Sequence, residues 1–79
     1  MNKVKELVEY VAKSLVSEPD GVDVNVVEKD RVVVLELRVA PDDMGRVIGK
    51  QGRIAKAIRT VVKSATAHQR KKYTVEILD

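Results

Sequence analysis

Val4, Leu7, Val8, Val11 and Leu15 recur at three- and four-residue spacing, with Lys3, Glu6, Glu9 and Lys13 between them. That spacing predicts an amphipathic helix over about residues 2–17, with Tyr10 packing beside its apolar stripe. Ser17-Glu18-Pro19-Asp20-Gly21 supplies a stop and a turn. The period then changes to two. Val22, Val24 and Val26 alternate with Asp23 and Asn25, and after the polar turn Glu28-Lys29-Asp30-Arg31 a second alternation sets Val33, Leu35, Leu37 and Val39 on one face. These segments read as two half-buried strands of an antiparallel hairpin. Ala40-Pro41-Asp42-Asp43 closes the second strand, because Pro41 removes a ladder donor, and either aspartate can cap a following helix.

The remaining pattern is helical, interrupted, helical, then alternating. Met44 to Ile48 forms a short helix, Gly49-Lys50-Gln51-Gly52 interrupts it, and a longer helix runs from Arg53 to about Ala67 on the stripe Ile54, Ile58, Val61, Val62 and Ala65. Tyr73, Val75 and Ile77 alternate with Thr74 and Glu76, giving a last strand. The order is helix, strand, strand, helix, helix, strand. Each element has a single apolar face, so the economical solution is a two-layer α+β sandwich with three helices on one side of a three-stranded sheet. The last strand returns by a right-handed two-helix crossover, most simply parallel to the second strand.

Composition narrows what such a domain can do. Seventy-nine residues make one domain, 1–79, with a thin core and no room for a deep interdomain cleft. There is no cysteine and only one histidine, which excludes a disulfide framework, a thiolate metal site and most zinc arrangements. The longest apolar run, Val32 to Leu35, is far short of the ~20 residues of a membrane-spanning helix, and no segment resembles a signal peptide. Asp42 and Asp43 are better explained as capping residues than as a metal pair. His68, at the end of the long helix, has no nucleophile or carboxylate at catalytic spacing. No enzyme, cofactor or metal is expected.

Charge changes the picture further. The net value is only +3, but residues 1–45 sum to −4, whereas residues 46–72 carry nine basic side chains and no acid. Such a one-sign block suits a polyanion, although a solvated helix face would also produce it. The block contains Gly49-Lys50-Gln51-Gly52. A four-residue turn there would aim consecutive N–H groups outward at a helix N-terminus, where phosphate oxygens bind, with Lys50, Arg53 and, one exposed turn on, Lys56 adding full charges. Ile48 and Ile54 would hold the flanking helices on the sheet and wall a shallow groove. Alone, two glycines three apart could equally be an ordinary helix–turn–helix corner. The Walker spacing fails, because Gly45 and Gly49 are one residue too close and Gln51 follows Lys50, and no dinucleotide G-x-G-x-x-G is present. Arg70-Lys71-Lys72 is a solvated link or a phosphate contact; spacing does not separate the two.

Ile48-Gly49-Lys50-Gln51-Gly52-Arg53-Ile54 resembles the I-G-x-x-G-x-x-I signature of KH domains, the RNA-binding modules. It departs from the pattern in one respect: an isoleucine stands two places after the second glycine, and the later apolar position falls to Ala55 or Ile58. The element order resembles the type II form, and the likeness to its small single-domain bacterial members extends over the whole chain. That resemblance implies a non-enzymatic single-stranded RNA binder. Gly49, Lys50, Gln51 and Gly52 would clamp the backbone of about four nucleotides, with Ile48, Ile54 and an edge strand facing the bases. It further implies a cytoplasmic RNA chaperone or post-transcriptional regulator, with a second KH-domain protein or a second copy as partner and a link to cell shape and wall synthesis. An alternative is a KH scaffold used for protein interaction or dimerisation. The only aromatics are Tyr10 and Tyr73, so a sheet that reads bases by ring stacking is excluded, whereas an aliphatic groove beside a phosphate clamp needs no rings.

Overall fold

A computed structural model describes residues 3–78; within them, only the backbone is described at positions 50 and 51. The chain forms α1 (Lys3–Leu15), a 3-10 turn (Pro19–Gly21), β1 (Asp23–Glu28), β2 (Val32–Arg38), α2 (Pro41–Ala65) and β3 (Lys72–Ile77). The sheet order is β1-β2-β3, antiparallel between β1 and β2 and parallel between β2 and β3. The central strand is therefore the one with the strongest apolar alternation, and β3 lies at an open edge.

The core lies between that sheet and the helices. Val33, Leu35 and Leu37 of β2 are completely buried, and Val24 and Val75 flank them on β1 and β3. Val8 and Ala12 of α1 cover the sheet together with Val47, Ala55, Ile58 and Val62 of α2. Each fully buried Leu or Ile contributes about 1.5–3 kcal/mol of transfer free energy, which makes this single layer the main stabilising term. Tyr10 does not join it. The ring is 72% exposed, and Leu15 is also exposed, because the buried face of α1 is the narrower stripe centred on Val8 and Ala12.

Two expectations are corrected at α2. The sequence predicts two helices separated by a four-residue loop at Gly49–Gly52, but every position from Pro41 to Ala65 is helical, with no intervening loop. The interruption is confined to Gly52, whose φ is +66°. An L-residue pays a steric cost at that angle, and a right-handed helix cannot be extended through it. The predicted pair of helices is therefore present as two segments that abut at one left-handed residue. Polar Lys-Gln fillers are good helix formers, so the first segment runs on to the kink.

Neither aspartate caps α2 in the expected manner. The N-cap is Ala40, without a side-chain cap, and Pro41 opens the first turn. Asp43 instead reaches back across the molecule. Its Oδ1 accepts the Ser17 amide and its Oδ2 the Glu18 amide, both at 3.0 Å, and the residue is only 1% exposed. The carboxylate thus satisfies the backbone just after α1 and pins that exit to the start of α2. Close approach tightens the same junction. A Cβ on Gly21 would stand 2.7 Å from the Ala40 Cβ, so only glycine lets the 3-10 turn lie against the residue that precedes α2.

Candidate nucleic-acid interface

The kink at Gly52 and the open edge of β3 define the basic side of the molecule. A cavity of about 650 Å³ lies between the C-terminal half of α2, the connection after it and β3. Arg59, Lys63, Arg70, Lys71 and Lys72 line it, with Val62 and Tyr73 as apolar walls, and among the described residues no carboxylate contributes to the lining. A smaller concavity of about 520 Å³ lies beside the kink, bounded by Gly45, Arg46, Arg53 and Ile54.

Hydrogen bonding determines what β3 offers to that cavity. The Lys72 N–H donates to Arg31 O at 3.0 Å, and the Leu78 N–H donates to Leu37 O at 2.9 Å. In a parallel ladder, alternate residues turn both backbone groups to the same neighbour. Lys72, Thr74, Glu76 and Leu78 therefore face β2, and Tyr73, Val75 and Ile77 turn their N–H and C=O to the open edge. The guanidinium of Arg59 crosses the cavity to this edge, its Nε–H donating to Val75 O at 3.3 Å. Lys71 is drawn the other way. Its Nζ donates to Lys29 O at 2.8 Å and lies 3.6 Å from Glu28 Oε2, which ties the α2–β3 connection to the β1–β2 turn.

The residues singled out by sequence divide into three groups. Gly49 and Gly52 are half-buried, and the backbone of residues 49–52 belongs to the helical run. The side chains of Lys50 and Gln51 lie outside the described residues. Arg53 and Lys56 are exposed, as expected. The two isoleucines separate: Ile54 is half-buried and packs on the core, but Ile48 is 54% exposed and anchors nothing. Core anchoring of the first segment falls to its neighbour Val47, which is fully buried. Arg59, Lys63, Tyr73 and the Val75 edge were missing from the sequence-derived site. The signal for them was the predicted parallel return of the last strand, which places β3 beside the basic face of the long helix only if β3 is an edge.

Electrostatics at Asp43 support the fold rather than a reaction. The Asp43 carboxyl is held below the ordinary carboxylate range, first by the Ser17 amide; burial opposes this, and the Glu18 amide and the Arg46 charge add to it. Among the described residues, no group of three or more His, Asp or Glu could hold a metal ion. Among them also, no helix is long and apolar enough to cross a membrane.

An open-edged three-stranded sheet covered on one face by helices, with a glycine kink inside a cationic face, defines a KH-type α+β domain. Residues 5–77 match the family described as KhpA/KhpB, KH domain, and the chain belongs to that family. It is 61% identical over 75 residues to the RNA-binding protein KhpA of Clostridium perfringens, an alignment covering 95% of this chain and 100% of the relative. It is 46% identical over 79 residues to the RNA-binding protein KhpA of Aquifex aeolicus, covering both chains completely. Among solved structures, Era in complex with MgGDPNP and nucleotides 1506–1542 of 16S ribosomal RNA shares the fold, with a TM-score of 0.60 and 21% identity. That match covers 95% of this chain but only 30% of the Era chain, so the present chain corresponds to a minor part of that protein.

Proposed function

We propose that this chain is a non-enzymatic protein that binds single-stranded RNA. The observation that carries the reading is the cationic cavity, without a carboxylate among its described lining residues, that opens onto the backbone edge of β3. A duplex would present only phosphates to so narrow a strip, whereas an unpaired strand can lay phosphates on the cations and bases on Tyr73 and the β3 edge. The relatives named RNA-binding protein KhpA support the same reading. The phosphate clamp shifts by comparison with a four-residue loop. The left-handed Gly52 starts a second helical segment, and the N-terminal end of that segment, beginning at Arg53, suits a phosphate oxygen. Arg53, directly after Gly52, and Lys56, one turn on, are both exposed and add full charges there.

One site of this size binds weakly, and avidity from a second copy or a second KH-domain protein would raise the effective affinity. A chaperone or regulatory role follows from weak, salt-sensitive contact with many transcripts. Light scattering after size exclusion, with and without RNA, tests the partner reading. The decisive test is the double variant Lys50→Asp, Gln51→Asp, assayed by fluorescence anisotropy on an unstructured oligoribonucleotide. Its affinity falls by more than about tenfold with the circular dichroism unchanged, because two positions directly before Gly52 become anionic. Wild-type affinity in that variant refutes the clamp.

A further inference from the structure

Arg59 differs from the other cations of the cavity because it spans it. Its Nε–H donates to Val75 O, one of the edge groups that β2 leaves turned outward. This bridge occupies the acceptor at the middle of the edge. It also leaves the two terminal guanidinium nitrogens, with four N–H donors, available to a ligand at this edge. Among the described residues no carboxylate pairs with Arg59. With Val75 O already accepting from Arg59, the middle of the β3 edge presents chiefly donors, the Val75 N–H and the remaining guanidinium N–H groups. Without the bridge, Val75 would offer one donor and one acceptor, a pair that some edge of every base can match.

We propose, building on the RNA reading above, that Arg59 makes this position selective for a base with two adjacent acceptors, guanine through O6 and N7 or cytosine through N3 and O2. Adenine and uracil place a donor beside each acceptor on the edges that could reach the strand, so one of their N–H groups would meet another N–H. The guanidinium fork matches an acceptor pair in one plane, which a lysine ammonium does not.

The test uses fluorescence anisotropy with the full chain and four labelled octamers: oligouridine, and oligouridine with one central guanosine, cytidine or adenosine. The guanosine and cytidine octamers bind about tenfold tighter than the other two, the size of one good bidentate pair. Replacing the guanine with 7-deazaguanine removes the N7 acceptor and brings affinity down to that of the adenosine octamer. In Arg59→Lys, and in Arg59→Gln as a second variant with folding checked by circular dichroism, the guanosine-to-adenosine ratio falls to about one. The ratio is read because general weakening of the cationic face cancels in it. A ratio preserved in Arg59→Lys, or 7-deazaguanine binding as well as guanine, overturns the assignment. Equal wild-type affinity for all four octamers also overturns it while leaving the RNA reading standing. Wild type binding none of them overturns the RNA reading, and the assignment falls with it.

Discussion

Gly52 offers the most direct measurement of the kink. An alanine there must hold φ near +66°, which costs an L-residue about 1–2 kcal/mol. The same substitution removes unfolded-state freedom, worth about 0.4–1 kcal/mol in the opposite direction. A Cβ built on Gly52 meets nothing within 4 Å, so no clash adds to the balance. The net effect of Gly52→Ala is a loss of about 1 kcal/mol. Gly45 and Gly49 are the internal controls. Both lie in helical backbone without positive φ, and a Cβ on either also meets nothing within 4 Å. Alanine there gains about 0.5–1 kcal/mol, the usual difference from glycine inside a helix. Urea unfolding followed by the helical dichroism signal separates the cases. With a slope of about 1 kcal/mol/M for a domain this small, the midpoint of Gly52→Ala falls by about 1 M and those of the other two rise by somewhat less. If Gly52→Ala is stabilised like Gly49→Ala, the helix passes through position 52 in ordinary geometry and the break described here is wrong.

Other outcomes follow from the same structure. Asp43→Asn destabilises the fold at neutral pH, because the amide nitrogen cannot accept from both Ser17 and Glu18. The folded pKa of Asp43 is depressed, so its carboxylate contributes fully above the unfolded value of about 3.9 and loses that contribution as pH falls through the folded value. Urea midpoints of wild type and Asp43→Asn are therefore farthest apart near neutrality and converge in acid; a gap that stays constant down to about pH 2 refutes the linkage. Leu35→Ala, at the centre of the middle strand, costs about 3 kcal/mol and lowers the thermal midpoint by well over 10 °C; a loss below about 1 kcal/mol contradicts its complete burial. Lys63→Ala removes one cleft cation, and the slope of log affinity against log salt becomes shallower by about 0.7 if it contacts a phosphate of a single strand; an unchanged slope removes Lys63 from the interface.

The chain's own pattern determined its element types, their order and which face of each is buried. Period-two valines and leucines in β1 and β2 and the helical spacing in α1 and α2 specify a face without reference to neighbours, because alternation or helical repeat alone decides which side chains meet water. The acid-free block from Arg46 to Lys72 and the two glycines around Lys50 were equally legible, since charge and glycine spacing are properties of the string. Tertiary structure decided the rest. Whether Gly49–Gly52 would be a loop or a kink depended on how the two segments of α2 pack on one sheet, and that packing required a left-handed angle at Gly52 alone. Asp43 reads as a cap from its position beside Pro41, yet its partners are amides 25 and 26 residues earlier, which meet it only once α1 and α2 are docked. The proposed binding edge was hidden for the same reason. Val75 looks like any core valine in sequence, and its outward backbone groups acquire meaning only when β3 pairs parallel to β2, leaves its other side open and brings Arg59 across from the helix.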